Sequence, residues 1–343
     1  MRRGLAMVLG FACAGLFAWL AFRKLDWQAT WLALRGADWR LLALAPPVML
    51  SSILFRAFRW RLILADQPGA RVGPLMLAAG IGVGANALLP AKLGEAVGAQ
   101  ALGRLADLSR VQSLGILVLT RVVDLFVLFT LVLVATIILP GAALRPVRGA
   151  GLVIAALSAL ILLLPLIGRA AWGATLLRRA AALLRRVLGE GPLDLAEKFA
   201  RGLASASRVG HLLAFVASTL LLWVVLSVSL LIALRAFNLH VSAMLVPFIM
   251  AMIAASAMLP SAPGNVGTFH FFGITALGLA GVAAEPAAAC IIIYHALDML
   301  GALVLGVVCT TLAGRWVFVL RSPRPPAFEP ECPRAVAPTS EVS

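Results

Sequence analysis

The chain has 343 residues, 62% of them hydrophobic and 13% charged, with a mean hydropathy of +1.02. Soluble domains run near a quarter charged and under half apolar, so this composition excludes a soluble globular protein and defines an integral membrane protein. The formal net charge of +15 does not point to nucleic acid, because Lys and Arg collect in short segments between apolar runs, as they do in cytoplasmic loops.

A spanning helix needs about 20 apolar residues. In chain order the candidates are 4–22, 40–55, 115–139, 149–168, 209–234 and 286–313. The basic start and small residues of the first also fit a signal peptide. Its uncharged run is long enough to span and further spans follow, so it is read as an uncleaved first helix. The second is short, with a bend predicted at Pro46–Pro47.

Two more apolar segments, 73–103 and 243–282, are too long for one simple span and too interrupted for two. The first contains "NALLPAKLGEAVGAQAL" (86–102), and the second contains "AMLPSAPGNVGTFHFFG" (257–273), which concentrates Pro260, Pro263, Gly264 and Gly267. Each reads as a re-entrant broken hairpin that turns at mid-membrane and returns to the same side. Lipid cannot satisfy the backbone groups such a turn exposes, so the turn must be buried in protein or face water.

With the N-terminus inside, the cytoplasmic segments 1–3, 56–71, 169–208 and 315–343 carry 18 Lys and Arg, against 7 in 23–40, 141–148 and 235–242. This bias predicts cytoplasmic N- and C-termini. Counting each hairpin as two spans keeps that orientation, and the shortness of the broken hairpins favours re-entry. Within the cytoplasmic segment 169–208, residues 172–191 repeat Leu-Leu and Arg-Arg seven apart. That pattern suits a helix lying on an anionic leaflet, or an ordinary cytoplasmic helix packed on the spans. The membrane domain is read as 1–314. The Pro-rich, polar segment 315–343 is read as a disordered tail.

Cys13, Cys290 and Cys309 lie in apolar runs and Cys332 in the tail. There is no CxxC or Cys/His metal spacing, so no metal or cofactor is expected. A G-x-x-x-x-G-K-[ST] loop is also absent, which argues against an ATP-driven pump in this chain.

The two breaks are related. Pro90 stands 31 residues before Arg121, and Pro260 stands 35 before His295. In both following helices a basic residue precedes an aspartate by three, Arg121/Asp124 and His295/Asp298, which places each pair on one helix face. The order of span, broken hairpin and span with basic-x-x-Asp occurs in 40–139 and again in 209–313. With the first hairpin entering from the cytoplasm and the second from outside, this is an inverted repeat, whose substrate site lies at the repeat interface. The expected fold is an all-α integral membrane protein with about six spanning helices and two re-entrant broken hairpins.

Glu95, Asp124 and Asp298 are the acidic groups at membrane depth, accompanied by Lys92, Arg121, His270 and His295. A charge there is costly unless paired or hydrated, so each is a functional candidate. Arg121–Asp124 also reads as a structural ion pair, and His295 as a hydrogen-bonded core histidine. Asn86 and Asn265 read either as headgroup ligands or as caps of the broken-helix ends. A helix interrupted at mid-membrane exposes backbone N–H groups and a positive dipole end, which are donors for a phosphate. Glycines there let a headgroup approach the backbone.

"RAFRWRLIL", "NALLPAKLGEAVGAQAL", "LTRVVDLFVL" and "LPSAPGNVGTFHFFGITALGLAGV" resemble the flippase-like membrane domain found N-terminal in bacterial lysyl-phosphatidylglycerol synthases, over about Gly4 to Gly314. The resemblance implies an all-helical fold with re-entrant segments, a bacterial plasma (inner) membrane location and lipid translocation between leaflets. It carries over to Asn86, Pro90, Gly94, Glu95, Arg121, Asp124, Pro260, Pro263, Gly264 and Gly267. Where the family commonly has Glu, this chain has His270. In the bifunctional synthases a large soluble catalytic domain follows, whereas here about 29 residues follow position 314, so aminoacyl transfer is not expected.

The expected function is translocation of an anionic or modified phospholipid, or another polar-headed lipid, with membrane lipids as partners and a separate lipid-synthesising enzyme as a further one. The alternatives are an ion-coupled small-solute transporter, with Asp124, Asp298 or His295 as proton site, and a non-catalytic membrane partner of a lipid-modifying enzyme.

Overall fold

A computed structural model describes residues 2–65, 67, 70–90, 93–138, 209–257, 259 and 261–314, with isolated positions 149, 152, 156 and 159. The predicted segment 172–191, the tail 315–343, Lys92, Pro260 and nearly all of the predicted span 149–168 lie outside the described residues.

The described elements are helices: α1 (Arg2–Phe22), α2 (Trp27–Arg35), α3 (Trp39–Leu42), α4 (Ala45–Ile63), α5 (Val72–Leu88), α6 (Leu93–Leu105) and α7 (Arg110–Ile138), then α8 (Val209–Ala236), α9 (Val246–Ser256), a 3-10 turn Pro263–Asn265, α10 (Thr268–Leu279) and α11 (Ala284–Ala313). Helices satisfy their own backbone groups, which is what an apolar solvent demands. Among the described residues, four stretches are long and apolar enough to cross a membrane: Trp39–Ile63, Gln112–Val134, Gly210–Ala236 and Ala284–Ala313.

Two local readings change. The second span does not stop at residue 55. Helix α4 continues through Arg56 and Arg59 to Ile63, so two cations assigned to a cytoplasmic loop belong to the helix. Pro46 and Pro47 lie in its first turn, where a missing N–H costs nothing, directly after the interruption at Ala43 and Leu44 that separates α3 from α4 within the predicted span. Residues 23–40, predicted as a loop, contain the short helix α2 and the start of α3. Asp26 caps α2 by accepting from Gln28 N (2.8 Å) and Ala29 N (3.3 Å). Asp38 caps α3 in the same way through Arg40 N and Leu41 N.

Packing follows a paired scheme. Helix α4 packs on α8, α5 on α11, and α9 on α7. The hairpins α5–α6 and α9–α10 pack internally, and their second helices lie on α7 and α11 respectively. Small residues allow the closest approaches, as is usual between membrane helices. A Cβ on Gly82 would lie 3.1 Å from Gly98 Cα, and Gly84 lies against Gly306.

The register of these contacts positions the breaks. Along α11, Ile291 meets Gly273, His295 meets His270 and Gly264, and Met299 meets Gly264. Further along the same helix, Gly306 meets Gly84 and Cys309 meets Gly80. Both α10 and α5 are therefore antiparallel to α11, one along its first half and the other along its second. The two breaks meet at its middle, and the hairpins extend from there in opposite directions. Helix α1 covers the second break, with Gly10 against Ser261 and Ala14 against Gly267. Phe17 adds a ring contact with Phe271 at 5.0 Å.

Candidate functional site

Where the breaks meet, a cavity of about 600 Å³ opens. The first hairpin contributes Asn86, Ala87, Leu89 and Glu95, and the second contributes Ser261, Ala262, Gly264 and Asn265. Helices α4, α7 and α11 add Arg56, Arg121, Asp124 and Asp298, with Trp223, Phe269 and Tyr294 among the apolar and aromatic walls. Asp124 stands at the midpoint of the 29-residue α7. Asp298 stands near that of the 30-residue α11.

The ion pairs differ from the reading along the sequence. The close partner of Asp124 is Arg59, 65 residues away on α4. Arg59 Nη1 donates to Oδ1 at 2.6 Å and Nη2 to Oδ2 at 3.5 Å. Both side chains are 3% exposed. Arg121 pairs instead with Glu95 of the first hairpin, and its own i,i+3 contact to Asp124 is longer, at 3.9 Å. Arg121 and Glu95 remain 44% and 30% exposed, so their charges face the open cavity. Arg56 and Asp298 line the same space and have no ion-pair partner within 4.0 Å among the described residues. Asn86 Oδ1 is buried without a hydrogen-bond partner among the described residues.

The second break has left-handed backbone at Gly264 (φ 67°), Asn265 (φ 59°) and Gly267 (φ 88°). Glycine enters that region without the Cβ penalty. Asn265 ties the turn together, accepting from the Ser261 hydroxyl at its side chain (2.8 Å) and from the Thr268 hydroxyl at its carbonyl (3.0 Å). Gly267 is packed against Ala14, and the missing Cβ of Gly264 faces Met299 Sδ. Alanine at either position would therefore meet both a neighbour and an unfavourable φ.

Of the residues singled out from sequence, Asn86, Glu95, Arg121, Asp124, Gly264, Asn265 and Asp298 share the cavity. Gly94 does not line it. Gly94 is buried against the backbone of Asn86 and lets α5 and α6 close on each other. Pro90 and Pro263 belong to the two turns without lining the cavity. Gly267, His270 and His295 lie behind the second turn. Arg56 and Arg59 were missed as site residues. Their signal was the apolar run continuing past them through Trp60 and Ile63.

These features define an all-helical, multi-pass membrane domain that keeps a charged cavity between two broken helical hairpins. The family described as "Lysylphosphatidylglycerol synthase TM region" matches residues 7–306, and the chain belongs to it. The match takes in both hairpins and every residue of the cavity. No curated protein and no solved structure matches the chain.

Proposed function

We propose that this protein moves a polar-headed membrane lipid between leaflets, with the headgroup held in the cavity while the acyl chains stay in lipid. The observation that carries the reading is the cavity itself. It lies beside the middle of a 30-residue helix, and unpaired charges face it. At about 600 Å³ it falls within the roughly 300–1,000 Å³ of ligand sites. Arg56 suits a headgroup phosphate, as guanidinium forks do. Asp298 suits an ammonium or hydroxyl donor on the same head. Within the broader class of anionic and modified phospholipids, a headgroup bearing both a phosphate and such a donor satisfies both charges.

In this reading the hairpins are re-entrant and the halves 40–139 and 209–313 form an inverted repeat. Two observations support it. The hairpin helices have 17, 13, 11 and 12 residues. At 1.5 Å per residue they reach about 26, 20, 17 and 18 Å, less than the ~30 Å hydrocarbon core. The packing relations of α4–α7 also recur when each helix is exchanged for its counterpart in α8–α11. The membrane is the bacterial inner membrane, with both termini cytoplasmic, and the chain performs transport with no group transfer.

A leaflet-resolved lipid assay in proteoliposomes tests the proposal. The purified protein should accelerate transfer of a phosphate-and-amine lipid over that in empty vesicles, and Arg56→Ala should lower the rate. No acceleration for any charged or zwitterionic phospholipid overturns it. The unpaired carboxylate of Asp298 favours a second reading, proton-coupled solute transport. Solute uptake driven by a pH gradient and lost in Asp298→Asn would select that instead.

A further inference from the structure

Two histidines that do not touch the cavity form a continuous hydrogen-bonded chain behind it. Gly267 N lies 3.4 Å from His270 Nδ1, His270 Nε2 lies 3.4 Å from His295 Nδ1, and His295 Nε2 lies 2.8 Å from the Gly264 carbonyl. The chain starts and ends on backbone of the same turn. It joins the two glycines whose φ angles are left-handed, 67° at Gly264 and 88° at Gly267.

The chemistry of its ends fixes the protons. A carbonyl only accepts, so His295 Nε2 carries hydrogen. A backbone N–H only donates, so His270 Nδ1 is bare. A neutral imidazole has one N–H, which places the proton of His270 on Nε2 and leaves His295 Nδ1 free to accept it. All three contacts are then satisfied by one arrangement, in which both rings are neutral Nε2–H tautomers. A further proton on either Nδ1 would face another N–H and open the chain at that point. Aromatic rings flank the pair. Phe269 stacks on His295 at 4.1 Å and 15°, and the Phe22 ring of α1 lies 5.3 Å from His270. His270 and His295 are 8% and 3% exposed.

We propose that His270 and His295 are positioning residues, a tautomer-locked strap that staples Gly267 to Gly264 and holds the cavity-facing side of the second break in its left-handed form. The strap acts through the backbone, so it stands whether the cavity carries a lipid or a solute.

Nitrogen-15 NMR of the full chain in nanodiscs, with labelled histidine, tests the strap directly on the wild-type protein. The chain has four histidines, and His211→Asn and His240→Asn variants assign the other two by difference. The expected result is a bare Nδ1 and a protonated Nε2 on both rings. An Nδ1–H tautomer or an imidazolium on either ring overturns the proposal. Hydrogen exchange of segment 261–271 supplies the second readout. His295→Phe keeps the stacking ring and loses both bonds. It should speed exchange about thirtyfold, the equivalent of two ordinary hydrogen bonds. His295→Gln retains a side-chain N–H for the Gly264 carbonyl and should recover part of that protection. Unchanged exchange in a folded His295→Phe protein contradicts the strap. Should that variant fail to fold, the wild-type tautomers alone decide.

Discussion

The two breaks do the same topological job by different physical means. The first is short: α5 ends at Leu88 and α6 starts at Leu93. It is closed by glycine contacts, Gly82 on Gly98 and Gly94 on Asn86, and it contributes charge through Glu95 and its partner Arg121. The second is longer, from Ser256 to Thr268. It contributes backbone, with three left-handed residues held by side-chain bonds and covered by α1. A hairpin can thus bring polar groups to the middle of a long apolar helix either with a paired side chain or with a braced turn, and this chain uses one of each.

The largest effect concerns the buried pair that anchors α4 to α7 beside the first break. Arg59→Met should destabilise the protein by about 3–5 kcal/mol, because it leaves Asp124 buried without its close partner. Adding Asp124→Asn should restore most of the loss, read as thermal unfolding in detergent. Adding Asp124→Asn to Arg121→Ala should restore little, since Arg121 pairs chiefly with Glu95. The reverse pattern would make Arg121–Asp124 the structural pair.

Next comes the braced turn. Gly267→Ala meets Ala14 and a φ of 88°, and the conformational part alone costs about 1–2 kcal/mol. Gly73→Ala in the first hairpin meets nothing within 4 Å and should leave unfolding unchanged. Equal melting temperatures for the two variants would show that neither the left-handed φ of Gly267 nor its contact with Ala14 constrains the second turn. Alanine cannot separate a conformational role from a packing role at Gly264 or Gly267, because it fails on both counts.

The smallest effect on stability, and a large one on transport, is expected at the half-exposed pair. Glu95→Gln and Arg121→Ala should each change stability by about 1 kcal/mol or less, as solvent-facing ion pairs do. Both should abolish lipid transfer in the leaflet assay. Normal transfer in both would reduce the pair to scaffolding.

Much of the architecture was legible because it rests on local signals. Apolar runs gave the long helices, and Pro/Gly clusters marked both breaks. The basic-x-x-Asp pattern led to Asp124 and Asp298, both of which line the cavity. The partners were not legible. Arg59 and Asp124 are 65 residues apart, and the apolar run read along one segment ends at residue 55 because a charge with no partner in its own segment carries its full membrane cost. The pairing that removes this cost for Arg59 exists only across helices. For the same reason the i,i+3 rule gave Asp124 the wrong principal partner. His270 and His295 were visible as polar residues in apolar runs, but their connection to Gly267 and Gly264 depends on α11 running antiparallel to α10.

The central claim is that the two breaks turn inside the membrane and open to opposite faces. Single cysteines at Gly73, Ser109, Ser242 and Ala283, in a cysteine-free background, test it by side-specific labelling in intact cells. All four positions are exposed at hairpin ends. The account predicts that Gly73→Cys and Ser109→Cys label together from one side, and that Ser242→Cys and Ala283→Cys label together from the other. Labelling of Gly73→Cys and Ser109→Cys from opposite sides would make the first hairpin a pair of spans and contradict the account.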